Sequence, residues 1–84
     1  MYEVLWEKNA FKQLLAIRHD HRKPITDAAA RLQKWLACTG VKRLAGHQYV
    51  YRLRVGRYRV LFDVEAAVRI IRIEEVKKRD EHTY

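Results

Sequence analysis

Two rhythms of apolar positions run along the chain. Between Ala10 and Leu36 apolar residues recur every three or four positions, and from Val50 onward mostly every second one. The first is the rhythm of a helix with one buried stripe, the second that of a strand with one buried face. Ahead of both, "YEVLW" at 2–6 alternates weakly and carries β-forming side chains, which predicts a short first strand. Asn9 suits a helix N-cap or first turn. Ala10, Phe11, Leu14, Leu15 and Ile17 then share one helical face, with Lys12, Gln13 and Arg18 outside it. The polar run "HDHRKP" predicts an end to this helix around His19 to Lys23, because the residue before Pro24 disfavours helical geometry. Pro24 suits the first turn of a second helix. There Ala28, Ala29, Leu32, Trp35 and Leu36 recur at helical spacing, and consecutive alanines thin one side so that a neighbour can approach. Thr39-Gly40 closes it, with Gly40 as the left-handed residue past the end. The two helices are expected to pack as a hairpin.

"VKRLAGHQ" reads as an irregular connector. "YVYRLRV", "RYRVLFDV" and "VRIIRIEEV" follow, rich in β-branched and aromatic residues. Gly56-Arg57 joins the first two, with glycine where a two-residue type II′ turn wants it. Glu65-Ala66-Ala67 makes a less specific second turn. The order β-α-α-β-β-β implies an α+β fold: a mostly antiparallel four-stranded sheet with a two-helix hairpin on one face. At 84 residues, 1–84 is expected to be a single domain. With the turn at Gly56-Arg57, Val55 pairs with Tyr58, Arg54 with Arg59, Leu53 with Val60 and Arg52 with Leu61. Tyr51, Leu53, Val55, Tyr58, Val60 and Phe62 then face the helices. Arg52, Arg54 and Arg59 share the opposite face, and Arg57 sits in the turn.

Charge sharpens this picture. The chain carries a net +8. From Val41 to Arg59 its charged residues are Lys42, Arg43, Arg52, Arg54, Arg57 and Arg59, with no Asp or Glu. Placing Arg54 opposite Arg59 sets like charge against like, which destabilises a sheet. One reading is a solvated basic face eased by Asp63, Glu65 or Glu74. The other is an anion site, for which arginine's planar fork fits phosphate. The opposed pair and the local absence of acids favour the anion site. No apolar run approaches the length of a membrane span, and "MYEVLWEKNAF" lacks the basic start and apolar core of a signal peptide. Cys38 has no second cysteine to pair with and reads as a reduced, partly buried thiol. A cytoplasmic protein without a membrane partner is expected. No Cys or carboxylate cluster accompanies the histidines at ligand spacing, so neither metal nor cofactor is expected. His47 is a weak candidate beside the hairpin, and His19 and His21 are assigned no role. The C-terminal "VKKRDEHTY" adds Lys77, Lys78, Arg79, His82 and Tyr84. If this tail folds over the arginine face, His82 brings a group that titrates near neutrality.

These residues together resemble a known family. "LAGHQYVYRLRVGRYRVLFDV" followed by "IRIEEVKKRDEHTY" is similar to the RelE/ParE superfamily, the toxins of type II toxin–antitoxin systems. Leu44, Gly46, Tyr51, Arg52, Arg54, Gly56, Tyr58, Arg59, Arg79 and Tyr84 carry the pattern, and "EVLWEKNAFKQLLAI" resembles the family's first strand and helix. For the RelE-like branch the resemblance implies a ribosome-dependent mRNA endonuclease. It attacks phosphorus with the neighbouring 2′-hydroxyl, needs no metal, and leaves a 2′,3′-cyclic phosphate and a 5′-hydroxyl. On that reading Arg59 contacts the scissile phosphate, Arg52 and Arg54 act as base or charge stabilisers, and Arg79 stabilises or protonates. Tyr84 stacks on or orients the substrate, and His82 stands where some relatives carry a catalytic histidine. Lys42, Arg43, Arg57, Lys77 and Lys78 are expected phosphate and RNA contacts. Some relatives have lysines at the two hairpin positions, and arginine scarcely deprotonates. His82, Tyr84 or a carboxylate is then expected as the base, or the reaction rests on orientation and electrostatics. The alternative is a ParE-like toxin that binds DNA gyrase and cuts nothing; a further one is an RNA- or ribosome-binding module without catalysis. Either toxin implies a cognate acidic antitoxin as partner.

Overall fold

The computed structural model describes residues 1–37, 40–46 and 50–78, with backbone alone at 35–37. Strand β1 (Glu3–Trp6) is followed by helices α1 (Lys8–Leu15) and α2 (His19–Ala30) and a 3-10 stretch at Arg31–Ala37. Strands β2 (Val41–Arg43), β3 (Tyr51–Val55), β4 (Tyr58–Glu65) and β5 (Ile70–Lys78) complete the order. They form one sheet in the order β1-β5-β4-β3-β2. β1 runs parallel to β5 and the other neighbours are antiparallel.

The α+β fold, the paired helices and the β3–β4 hairpin agree with the sequence reading, but the sheet has five strands rather than four. The extra one, β2, lies inside the presumed connector. Three residues are too few to show an alternation, and what recruits them is the free edge of β3. Lys42 pairs with Arg52, the Leu44 amide donates to the Val50 carbonyl at 2.7 Å, and the Arg54 amide donates to the Gly40 carbonyl at 3.2 Å.

The helix boundaries also differ. α1 stops at Leu15, and "HDHRKP" opens α2 instead of separating the helices. The Arg22 guanidinium explains part of this. It reaches back to donate to the carbonyls of Ile17 (2.7 Å) and Leu15 (2.9 Å), satisfying groups that a helix end leaves open. Arg18, at the N-cap, holds Asp20 through two hydrogen bonds at 3.1 and 3.2 Å. That keeps a carboxylate in the first turn, where it complements the helix dipole. Pro24 therefore sits inside α2, where it forgoes one backbone hydrogen bond. α2 ends at Ala30, and the 3-10 stretch kinks at Lys34 (φ −102°, ψ 55°). Gly40 does take positive φ, 78°, while Thr39 and Cys38 lie outside the described residues.

The core lies between the helices and one sheet face. Phe62, Ile25, Leu32, Ile71, Ile73 and Val60 are its largest fully buried side chains. Each stabilises the fold by about 1.5–3 kcal/mol relative to exposure. Ala28 and Ala29 are buried too, so the thin side of α2 does permit close approach. The stripe on α1 is narrower than its apolar residues suggest. Ala10 and Leu14 are buried, but Phe11 and Leu15 are each half exposed. α1 rests on β5 through that narrow stripe, and Gln13, from its supposed polar side, accepts the Val76 amide at 2.7 Å.

Candidate functional site

The hairpin has the predicted register, with Val55 opposite Tyr58, Arg54 opposite Arg59, Leu53 opposite Val60 and Arg52 opposite Leu61. Gly56 takes φ 56° while Arg57 keeps a negative φ, as a type II′ turn requires. Leu53, Val60 and Phe62 enter the core, with Tyr51, Val55 and Tyr58 packed at its margin. The arginines are thereby carried to the outer face, away from the helices.

Cross-strand pairing extends this face into two rows. One runs Lys77, Arg59, Arg54 across β5, β4 and β3. The next runs Glu75, Leu61, Arg52, Lys42 and reaches β2. Arg52 and Arg59 are half-buried and Arg54 is exposed. Leu61, on this outer face, is only 3% exposed and gives the rows an apolar floor. Opposed cations over such a floor raise the local positive potential. The arrangement can hold an anion such as a phosphodiester and stabilise charge building on it.

A β-bulge decides what β5 contributes. Leu61 pairs with Glu75 but Phe62 pairs with Ile73, leaving Glu74 as the extra residue. Strict alternation from Ile71 and Ile73 would turn Glu75 inward and Val76 outward. The bulge lets Val76 join Ile71 and Ile73 in the core while keeping the charged residues outward. Glu75 then binds Lys77 at 3.3 Å, its side chain only 22% exposed. The signal was present in "IEEV", where two apolar core residues stand three apart instead of two.

Further along the same face the charge reverses. Arg72 binds Glu65 at 2.7 Å and Glu7 at 3.2 Å, clamping β5 to β4 and to the end of β1. Those two carboxylates, Glu65 first, push its pKa up and keep it charged. Asp63 accepts the Val50 amide at 3.0 Å. Glu74 has its pKa raised, first by burial and then by the nearby charges of Glu7 and Asp63.

Behind the hairpin tip, on the helix side, lies a cavity of about 540 Å³ lined by Arg18, His21, Pro24, Ile25, Val55, Gly56, Arg57 and Tyr58. His21 Nδ1 and the Tyr58 hydroxyl are hydrogen-bonded at 2.9 Å, tying α2 to the hairpin. His21 thus has a structural task that the sequence reading did not assign.

Of the candidate residues, the structure gathers Lys42, Arg52, Arg54, Arg59 and Lys77. Arg43 pairs with Tyr51 and Lys78 with Tyr58, which places both on the helix side, away from the rows. Arg57 occupies the turn and lines the tip cavity. Arg79, His82 and Tyr84 lie outside the described residues, as does His47. Among the described residues no group of His, Cys, Asp and Glu is arranged to hold a metal ion, and no helix is long and apolar enough to cross a membrane.

No protein-family model and no curated protein matches the chain. Solved structures do. An archaeal RelE, solved with RelB from Pyrococcus horikoshii, is 26% identical, with a TM-score of 0.80 over 95% of this chain and 97% of that one. The isolated Escherichia coli RelE toxin aligns over 99% of this chain and 89% of its own, with a TM-score of 0.81 and 14% identity. The RelBE2 toxin–antitoxin complex of Mycobacterium tuberculosis is 20% identical, with a TM-score of 0.79 over 93% of this chain and 98% of that one. The latter two speak to fold alone, while the archaeal protein adds likeness of sequence.

Proposed function

We propose that this chain, RelE-like in fold and sequence pattern, is the toxin of a type II toxin–antitoxin system and cuts mRNA on the ribosome. In this reading residues 1–84 form a single toxin domain acting in the cytoplasm. The observation that carries it is the pair of cation rows on the outer face, with Arg54, Arg59 and Lys77 abreast beside Arg52 and Lys42. Cleavage by an internal 2′-hydroxyl needs charge stabilisation at phosphorus, a base for the hydroxyl and an acid for the leaving oxygen. Arg59, at the centre of its row, holds the scissile phosphate. Arg52 and Arg54 stabilise the charge that builds there, and Lys42 and Lys77 bind the flanking backbone. Arg79, His82 and Tyr84 are assigned to leaving-group protonation and substrate stacking by family resemblance. An acidic antitoxin is the partner that suits a chain of net +8, since opposite charge speeds association and covers the cation rows.

Induction of the chain in growing cells, with pulse-labelling of protein, DNA and RNA, tests this reading. Translation stops first and mRNA shows cuts in phase with codons. Arrest of DNA replication with intact mRNA would overturn it in favour of a gyrase-binding toxin.

A further inference from the structure

The arginines of the cation rows cannot supply one thing that RNA cleavage requires. Guanidinium groups do not deprotonate at physiological pH and so cannot take the proton of a 2′-hydroxyl. A carboxylate can, if it stands beside them. We propose that Glu75 is that general base, an inference that rests on the ribonuclease reading above.

Register singles it out among the described residues. Glu75 ends the row of Leu61, Arg52 and Lys42, and lies diagonal to Arg59 on the adjoining strand β4. Diagonal neighbours on a sheet face sit roughly 7–8 Å apart at the backbone. Their side chains can therefore meet around one bound group, with the guanidinium on a phosphate oxygen and the carboxylate on the adjacent ribose hydroxyl. The other acids of this face are engaged further off. Glu65 and Glu7 bind Arg72, Asp63 accepts the Val50 amide, and Glu74 is perturbed first by burial and then by the charges of Glu7 and Asp63. Glu75 is also held in place. Lys77 grips it at 3.3 Å and its side chain is 22% exposed, while the dry Leu61 beside it limits screening by water. The bulge puts it there, and bulges commonly aim a side chain at an active site.

In the reaction, the Glu75 carboxylate takes the 2′-hydroxyl proton as the O2′–P bond forms. The P–O5′ bond breaks, its electron pair leaves with the 5′ oxygen, and that oxygen is protonated by solvent or a neighbouring acid. Glu75 then returns its proton to solvent. The charged groups around Glu75 are Lys77 and Glu74 on its own strand, Arg59 and Asp63 on β4, Arg52 on β3, Lys42 on β2, and Glu7 after β1.

The test is single-turnover cleavage of mRNA on programmed ribosomes, followed against pH, for wild type, Glu75→Gln, Glu75→Asp and Lys77→Met. Loss of a general base lowers rates by about 10²–10⁴-fold. Glu75→Gln is expected to fall in this range with ribosome binding unchanged, and to lose the acidic limb of the profile. Glu75→Asp keeps that limb at a reduced rate. Lys77→Met breaks the same ion pair but leaves the carboxylate, so it keeps the limb as well and gives a reading even if Glu75→Gln folds poorly. Cleavage by Glu75→Gln within about threefold of wild type, or an acidic limb that survives in it, overturns the assignment to Glu75 alone. An acidic limb lost in Lys77→Met overturns it too. A well-folded wild type that cuts nothing overturns the ribonuclease reading together with this inference.

Discussion

The outer sheet face has two ends that handle charge in opposite ways. At the end formed by β4, β5 and β1, a single arginine answers the acids. Arg72 is gripped by Glu65 and Glu7, and the cluster joins three strands. At the other end Lys77, Arg59 and Arg54 stand abreast, with Arg52 and Lys42 in the adjoining row. The first is a structural clamp in which one cation holds two of the acids around it. The second gathers five cations around Glu75 on a shared face, an arrangement that favours a bound anion. The molecule thus builds stability and proposed function from the same residue types, and only their sequence of neighbours tells them apart.

Removing a charge from each end should give effects of different kind. The largest is expected from Arg59→Gln. If Arg59 stabilises the charge on phosphorus, cleavage falls about 10²–10³-fold, or about 2.7–4 kcal/mol of barrier, while the melting transition barely moves. Cleavage within tenfold of wild type would erase the contrast. Arg72→Met should do the reverse. It abolishes both ion pairs and leaves Glu7, Glu65, Glu74 and Asp63 facing one another. Urea titration should show a lower unfolding midpoint, with cleavage per folded molecule unchanged. Loss of specific activity instead would mean that the clamp belongs to the site.

The smallest effect is a pH dependence at Glu74. Its pKa is raised in the folded protein by burial and by Glu7 and Asp63. The folded state therefore binds the proton more readily than the unfolded one. Stability from this group is present at low pH and is lost as pH rises through the raised value. Glu74→Gln should stabilise at neutral pH by no more than about 0.5 kcal/mol, given solvent screening. The gain should vanish below the ordinary carboxylate range, where Glu74 is itself neutral. Thermal melts at pH 7 and pH 3 check this, and an equal gain at both would break the electrostatic account.

Much of the fold was legible in the order of residues. The β3–β4 register follows from alternation together with Gly56, whose positive φ the turn demands. That alone predicted a shared face for Arg52, Arg54 and Arg59. The helices were legible as amphipathic stripes, but their ends were not. Arg22 caps α1 from the following helix, and no local pattern announces such a reach. β2 carries no such signal, because three residues show no periodicity. The site was legible only in part. Lys42 joins the rows and Arg43 does not, a division settled by the edge pairing of β2 with β3.

By itself, then, the sequence determined the elements that local chemistry specifies: a type II′ turn, alternating strands, two apolar helical stripes and a hairpin with Arg52, Arg54 and Arg59 on one side. These depend on neighbours a few positions apart, where backbone geometry leaves little choice. The tertiary structure alone decided which strands adjoin, and hence what stands beside the arginines. Lys42 and Lys77 come from distant parts of the chain, and Glu75 reaches the rows because a bulge lets Val76 reach the core. Burying that valine is a demand of the whole fold, and the position of the proposed base follows from meeting it.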